Sequence, residues 1–94
     1  MMIDRYDISV VLSTYNRCAI LPFALESILC QEPGGVAFEV IVVDNNSLDE
    51  TRTVVESFAA QGHANLRYVF EPRQGVSYAR NSGIANARAP IVAG

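Results

Sequence analysis

Apolar and polar positions along the chain change period from two to about three and a half and back, segment by segment. Residues 8–12 (Ile-Ser-Val-Val-Leu), 38–43 and 66–70 are short runs rich in β-branched and aromatic side chains, which suit strands. Between the first two, Leu21, Leu25, Ile28 and Leu29 recur at helical spacing and predict a helix over 19–31, with Pro22 in its first turn. Ser47-Leu48-Asp49-Glu50 reads as a capping box that starts a second helix. Val54, Val55, Phe58 and Ala59 form that helix's apolar face, and Gly62 is its stop. A third helix is predicted over 76–88, where Ala79, Gly83 and Ala87 allow close approach to a sheet, and Pro90 opens a last strand at 91–93.

The order β-α-β-α-β-α-β with right-handed crossovers predicts an α/β fold. It is a three-layer, Rossmann-like half-sheet, parallel throughout, with strand order 3-2-1-4. Val40-Ile41-Val42-Val43 is apolar on both faces, as in a strand covered by helices on both sides. The strand is followed at once by Asp44-Asn45-Asn46-Ser47. In open α/β sheets ligands bind past the carboxyl ends of the strands, so Asp44 is expected near a ligand. Thr14-Tyr15-Asn16-Arg17 follows strand 1, and Gln74 to Asn81 opens helix 3, so three polar clusters converge on one edge.

Composition removes several classes. The chain has 94 residues, a net charge of −3 and seven arginines without a lysine, spread along its length. There is no basic stripe to suggest nucleic acid, and neither P-loop nor Schiff-base chemistry is possible without lysine. Cys18 and Cys30 sit at the two ends of one predicted helix, too far apart for a disulfide, and read as free thiols. The single histidine, His63, lies in a turn-like stretch. No G-x-G-x-x-G follows strand 1, and no serine or cysteine has a histidine partner for triad chemistry. The polar amino terminus and the lack of an 18-residue apolar run predict a cytoplasmic chain with no transmembrane segment.

A carboxylate beside an aromatic ring and an arginine can grip a nucleoside: the carboxylate accepts a base N–H, the ring stacks, and the guanidinium faces phosphate. Each residue also has a plainer reading. Asp44 can cap a turn, Tyr15 can pack on the sheet edge, Arg80 can pair with an acid, and Asn81 can satisfy backbone groups. Ser47 and Asp49 suit helix capping better than ligand contact.

Ile8–Arg17, Val40–Thr51 and Gly75–Gly83 together resemble the nucleotide-binding half of family 2 glycosyltransferases, which are inverting enzymes of the GT-A fold. The resemblance implies a nucleotide-diphospho-sugar donor as partner. Thr14 and Tyr15 would line the nucleoside pocket, Asp44 would accept a hydrogen bond from the base, and Arg80 would lie at the base or diphosphate. Arg17 and Asn46 would be rim contacts. It also implies a Mn²⁺ or Mg²⁺ ion on the donor diphosphate, held by an Asp-x-Asp motif, and a carboxylate base, neither of which occurs in these residues. The chain is therefore expected to be the front portion of a longer domain, 1–94, inactive in transfer by itself. An apolar edge at strand 4 is expected to make it a homo-oligomer. The alternative is a receiver-like signalling domain, suggested by the acidic end of strand 2. Such a domain wants a lysine and an aspartate after strand 3, and the chain has neither.

Overall fold

The computed structural model of the chain describes residues 6–30 and 36–94. Its elements are β1 (Ile8–Thr14), α1 (Leu21–Leu29), β2 (Phe38–Asp44), α2 (Thr51–Ala60), β3 (Leu66–Phe70), α3 (Val76–Asn86) and β4 (Ile91–Ala93). The four strands form one sheet in the order β3-β2-β1-β4, and every pairing is parallel.

The central strand β2 explains the layering. Val40, Ile41, Val42 and Val43 are all fully buried, and alternation sends them to opposite faces. Val40 and Val42 pack with Leu21, Leu25, Val55 and Leu66 beneath α1 and α2. Ile41 and Val43 pack with Val11 and Ala79 beneath α3. Each such side chain contributes roughly 1.5–3 kcal/mol relative to solvent, so a polar residue anywhere in this run would disrupt one of the two cores. The closeness of α3 depends on Gly83, where an added Cβ would overlap the Val11 side chain.

Several expected boundaries move. β1 and β2 run on to Thr14 and Asp44, because these residues keep the parallel register (Thr14 opposite Asp44). α1 begins at Leu21 rather than residue 19. The chain turns first through Arg17, whose carbonyl accepts the Ile20 and Leu21 amides at 3.0 Å each, and Pro22 takes its place in the first turn. The expected end at Gln31 lies outside the described residues. α3 stops at Asn86, since Ala87 is already extended at ψ 138. The capping box does not form. Glu50 is the N-cap residue of α2 and makes no side-chain cap bond. The Asp49 carboxylate instead accepts from the Thr51 amide (3.1 Å) and hydroxyl (2.5 Å), and Ser47 is engaged elsewhere. Gly62 does end the helical segment, at φ +103, a conformation that suits glycine.

Candidate functional site

The carboxyl edge of the sheet is drawn together by its backbone. The Asn45 amide donates to the Thr14 carbonyl and the Glu71 amide to the Asp44 carbonyl, both at 2.8 Å, so β1, β2 and β3 end side by side. The loops beyond them are cross-linked. The Asn16 amide donates to Ser47 Oγ (2.9 Å), and Asn16 Oδ1 accepts the Leu48 amide (2.7 Å) in return. The Cys18 amide donates to Asp49 Oδ2 at 3.1 Å. Asn16 and Asn46 both adopt positive φ, +48 and +66, which asparagine tolerates better than most residues. Ser47 is thus a clasp between two loops rather than a helix cap.

Asp44 is 3% exposed, and its carboxylate is held from two sides. Oδ1 accepts the Ser47 amide at 2.9 Å, the turn-capping role that the sequence allows, and Oδ2 accepts the Tyr68 hydroxyl at 2.5 Å. Burial, followed by the Asp44 hydrogen bond and charge, pushes the Tyr68 phenol well above its ordinary range, so it stays a donor. The guanidinium of Arg52 lies over the Tyr68 ring, 5.4 Å from its centroid.

Asn45 fastens the third loop. Its side-chain nitrogen donates to the carbonyls of Glu71 (3.2 Å) and Arg73 (2.6 Å), and its Oδ1 accepts the Gly75 amide (3.0 Å). Its own carbonyl accepts from Gln74 Nε2 at 2.7 Å. Gly75, at φ +140, then opens α3 in a conformation that an L side chain would strain. Beside it, Arg73 forks onto Glu71 through Nε (2.9 Å) and Nη2 (3.2 Å), and this contact holds the Glu71 carboxyl below its ordinary value.

Two adjoining clefts lie between α3 and the sheet, the smaller at this edge and the larger along β1 and β4. One, of about 170 Å³, is lined by Thr14, Tyr15, Arg17 and Asn45 together with Ser13, Val76 and Ala79. The other, of about 310 Å³, is lined by Arg80 with Val11, Ile84, Val92 and Gly94, and shares Ser13 and Val76 with the first. Of the six residues expected at the site, Thr14, Tyr15 and Arg17 come together in the smaller cleft. Asp44 is the register partner of Thr14, Asn46 is half-buried in the loop that follows, and Arg80 stands in the larger cleft next door. Among the described residues, Arg52, Arg67 and Arg73 pair with carboxylates, whereas no ion pair engages Arg17 or Arg80. Also among the described residues, no group of three or more His, Cys, Asp or Glu side chains comes together that could hold a metal ion. No described helix is long and apolar enough to cross a membrane.

The residues missed from sequence are those that hold others in place: Asn16, Asn45 and Tyr68. The asparagines lie within the polar clusters, but which of several neighbouring polar side chains would bridge the loops is decided by loop geometry. Tyr68 carries no local signal at all, because its part depends on the register between β2 and β3.

A model of the glycosyl transferase family 2 domain matches residues 9–94. Over 88 residues the chain is 41% identical to a validoxylamine A glucosyltransferase of Streptomyces hygroscopicus subsp. jinggangensis, an alignment covering 92% of this chain and 20% of that protein. Among solved structures, the mannosyltransferase PcManGT from Pyrobaculum calidifontis, in complex with GDP-Man and Mn²⁺, superposes with a TM-score of 0.83 at 31% identity. That superposition covers 94% of this chain and 26% of the other. TarS from S. aureus (residues 1–349) superposes with a TM-score of 0.72 at 27% identity, over 92% and 26% respectively. The chain thus spans a fifth to a quarter of the length of these relatives.

Proposed function

The chain belongs to glycosyl transferase family 2, and from that premise we propose that its carboxyl sheet edge binds the nucleotide of a nucleotide-diphospho-sugar donor. The reading is carried by one arrangement: Arg17 and Arg80, which form no ion pair among the described residues, border adjoining clefts with the exposed Tyr15, and Asp44 is fixed in register with Thr14, which lines the smaller cleft. An arginine left without an acid at a concave edge is suited to phosphate. Tyr15, 45% exposed, offers a ring face for the base. Asp44 accepts an N–H from the base edge, Thr14 lines the pocket, and Asn46 stands at its rim. That the similar Pyrobaculum mannosyltransferase is in complex with GDP-Man supports a nucleotide-sugar as the ligand.

The intact protein, in this reading, is a hexosyltransferase that passes the sugar to an acceptor hydroxyl. A divalent cation of the kind present in that complex would offset the charge developing on the departing diphosphate. Its ligands would be carboxylates other than those described, and on the present residues alone we expect binding without transfer. Work by this chain's own residues is confined to holding and orienting the donor: the two arginines neutralise charge, and Tyr15 and Asp44 fix the base.

Calorimetry of the chain with UDP, GDP and dTDP tests the proposal. One of the three should bind, and Asp44→Ala should weaken it by roughly tenfold or more, the scale of a lost hydrogen bond to a charged group. If none binds, or if Asp44→Ala leaves the affinity as it was, the proposal is wrong.

A further inference from the structure

Tyr68 carries a polar end that core packing does not require. Its ring lies against the cluster of Leu21, Leu25, Val40, Val42, Val55 and Leu66, where phenylalanine would fill the same volume. Its register partner is Val42, two residues before Asp44, so Tyr68 shares with Asp44 the face of the sheet covered by α1 and α2. From there its hydroxyl meets Asp44 Oδ2 at 2.5 Å, at the short end for an O–H on a carboxylate. The Ser47 amide holds the other oxygen at 2.9 Å. An ionised carboxylate has about four acceptor positions, so these two donors leave the remainder in a fixed plane on a residue that is only 3% exposed.

We propose that Tyr68 is a positioning residue of the nucleotide site: its hydroxyl sets the plane of the Asp44 carboxylate so that the remaining lone pairs meet a base N–H. The inference rests on the nucleotide reading above and adds a consequence for the ligand. Because the Tyr68 hydroxyl and the Ser47 amide both donate to it, the Asp44 carboxylate is set as an acceptor. Bases whose ring nitrogen carries a hydrogen, such as uracil, thymine and guanine, suit it. Cytosine and adenine, which present a bare ring nitrogen at the corresponding edge, do not.

The test compares the affinities of UDP, GDP, CDP and ADP for the chain, for Tyr68→Phe and for Asp44→Asn. The unaltered chain should prefer UDP or GDP over CDP and ADP. Tyr68→Phe keeps the packed ring, so the melting midpoint should move by only a few degrees. The preferred nucleotide should bind about tenfold more weakly, while CDP and ADP should be unaffected, so the preference shrinks. A purely structural tyrosine would instead lower the midpoint and weaken all four nucleotides in proportion, which overturns the inference. If Asp44→Asn weakens the preferred nucleotide but Tyr68→Phe leaves the preference intact, Tyr68 has no positioning role and the nucleotide site stands. A chain that binds all four alike overturns the inference, and one that binds none overturns the nucleotide reading with it.

Discussion

Glu39 is 1% exposed, on a strand that continues into four β-branched apolar residues. It is tolerated because every neighbour donates to it. The Ser9 hydroxyl (2.6 Å) and the Arg88 amide (2.8 Å) reach Oε2, and Arg67 Nε reaches Oε1 at 3.2 Å. Ser9 Oγ in turn accepts the Ala89 amide at 3.1 Å, and Arg67 also donates to the Asn86 carbonyl. Burial raises the Glu39 pKa, but the three donors and the Arg67 charge outweigh it, and the net shift is downward. A carboxyl depressed in the folded state adds stability above its unfolded value near 4.5, and that stability is lost as pH falls through the folded value. Glu39→Gln is therefore expected to cost about 2 kcal/mol near neutrality and to flatten the acid side of the stability curve. Melting midpoints of both proteins between pH 7 and pH 3 measure this, and parallel curves would refute it.

At the scale of elements, the pattern of apolar residues placed β3 at the observed residues, Leu66–Phe70, and the cores of all three helices. Ends were less legible. Ser47, Asp49 and Glu50 are all capable helix starters, and local sequence does not say which of them a neighbouring loop will claim. Asn16 claims Ser47, which leaves Asp49 to meet both the Cys18 amide and Thr51. The spacing of small residues on α3 was legible, and its cause is steric. Ala79 and Gly83 are buried against β1 and β2, and a methyl group at Gly83 would overlap Val11. Gly83→Ala should destabilise the fold by roughly 1–3 kcal/mol, although alanine is the better helix former. Chemical denaturation reads this directly. A neutral or stabilising substitution would mean that α3 stands further from the sheet.

For the molecule as a whole, β4 pairs with β1 through Ile8–Ile91, Ser9–Val92 and Val10–Ala93, and no other strand among the described residues pairs with its far edge. Ile91 is 57% exposed and Val92 39%, and Val76 and Ile84 of α3 add apolar surface beside them. Open, apolar strand edges pair with other chains. The isolated chain is accordingly expected to self-associate as its concentration rises, and replacing Val92 with Lys should shift it toward monomer. Light scattering over a hundredfold concentration range decides the point, a constant monomer mass being the adverse result.

The sequence by itself determined the fold class, the strand order and the edge at which polar groups gather. These follow from period, from handedness and from an apolar run too continuous for any but a central strand. It also carried the family resemblance that the match over residues 9–94 establishes. Tertiary structure alone decided which polar side chains became fasteners and which stayed available. Asn45 is spent on Glu71, Arg73 and Gly75, and Asp44 is clamped by Ser47 and Tyr68, whereas Arg17 and Arg80 face the clefts. The physical reason is that a hydrogen bond needs its partner within about 3 Å, and partners here are drawn from strands and loops that lie some 25 to 50 positions apart in the chain.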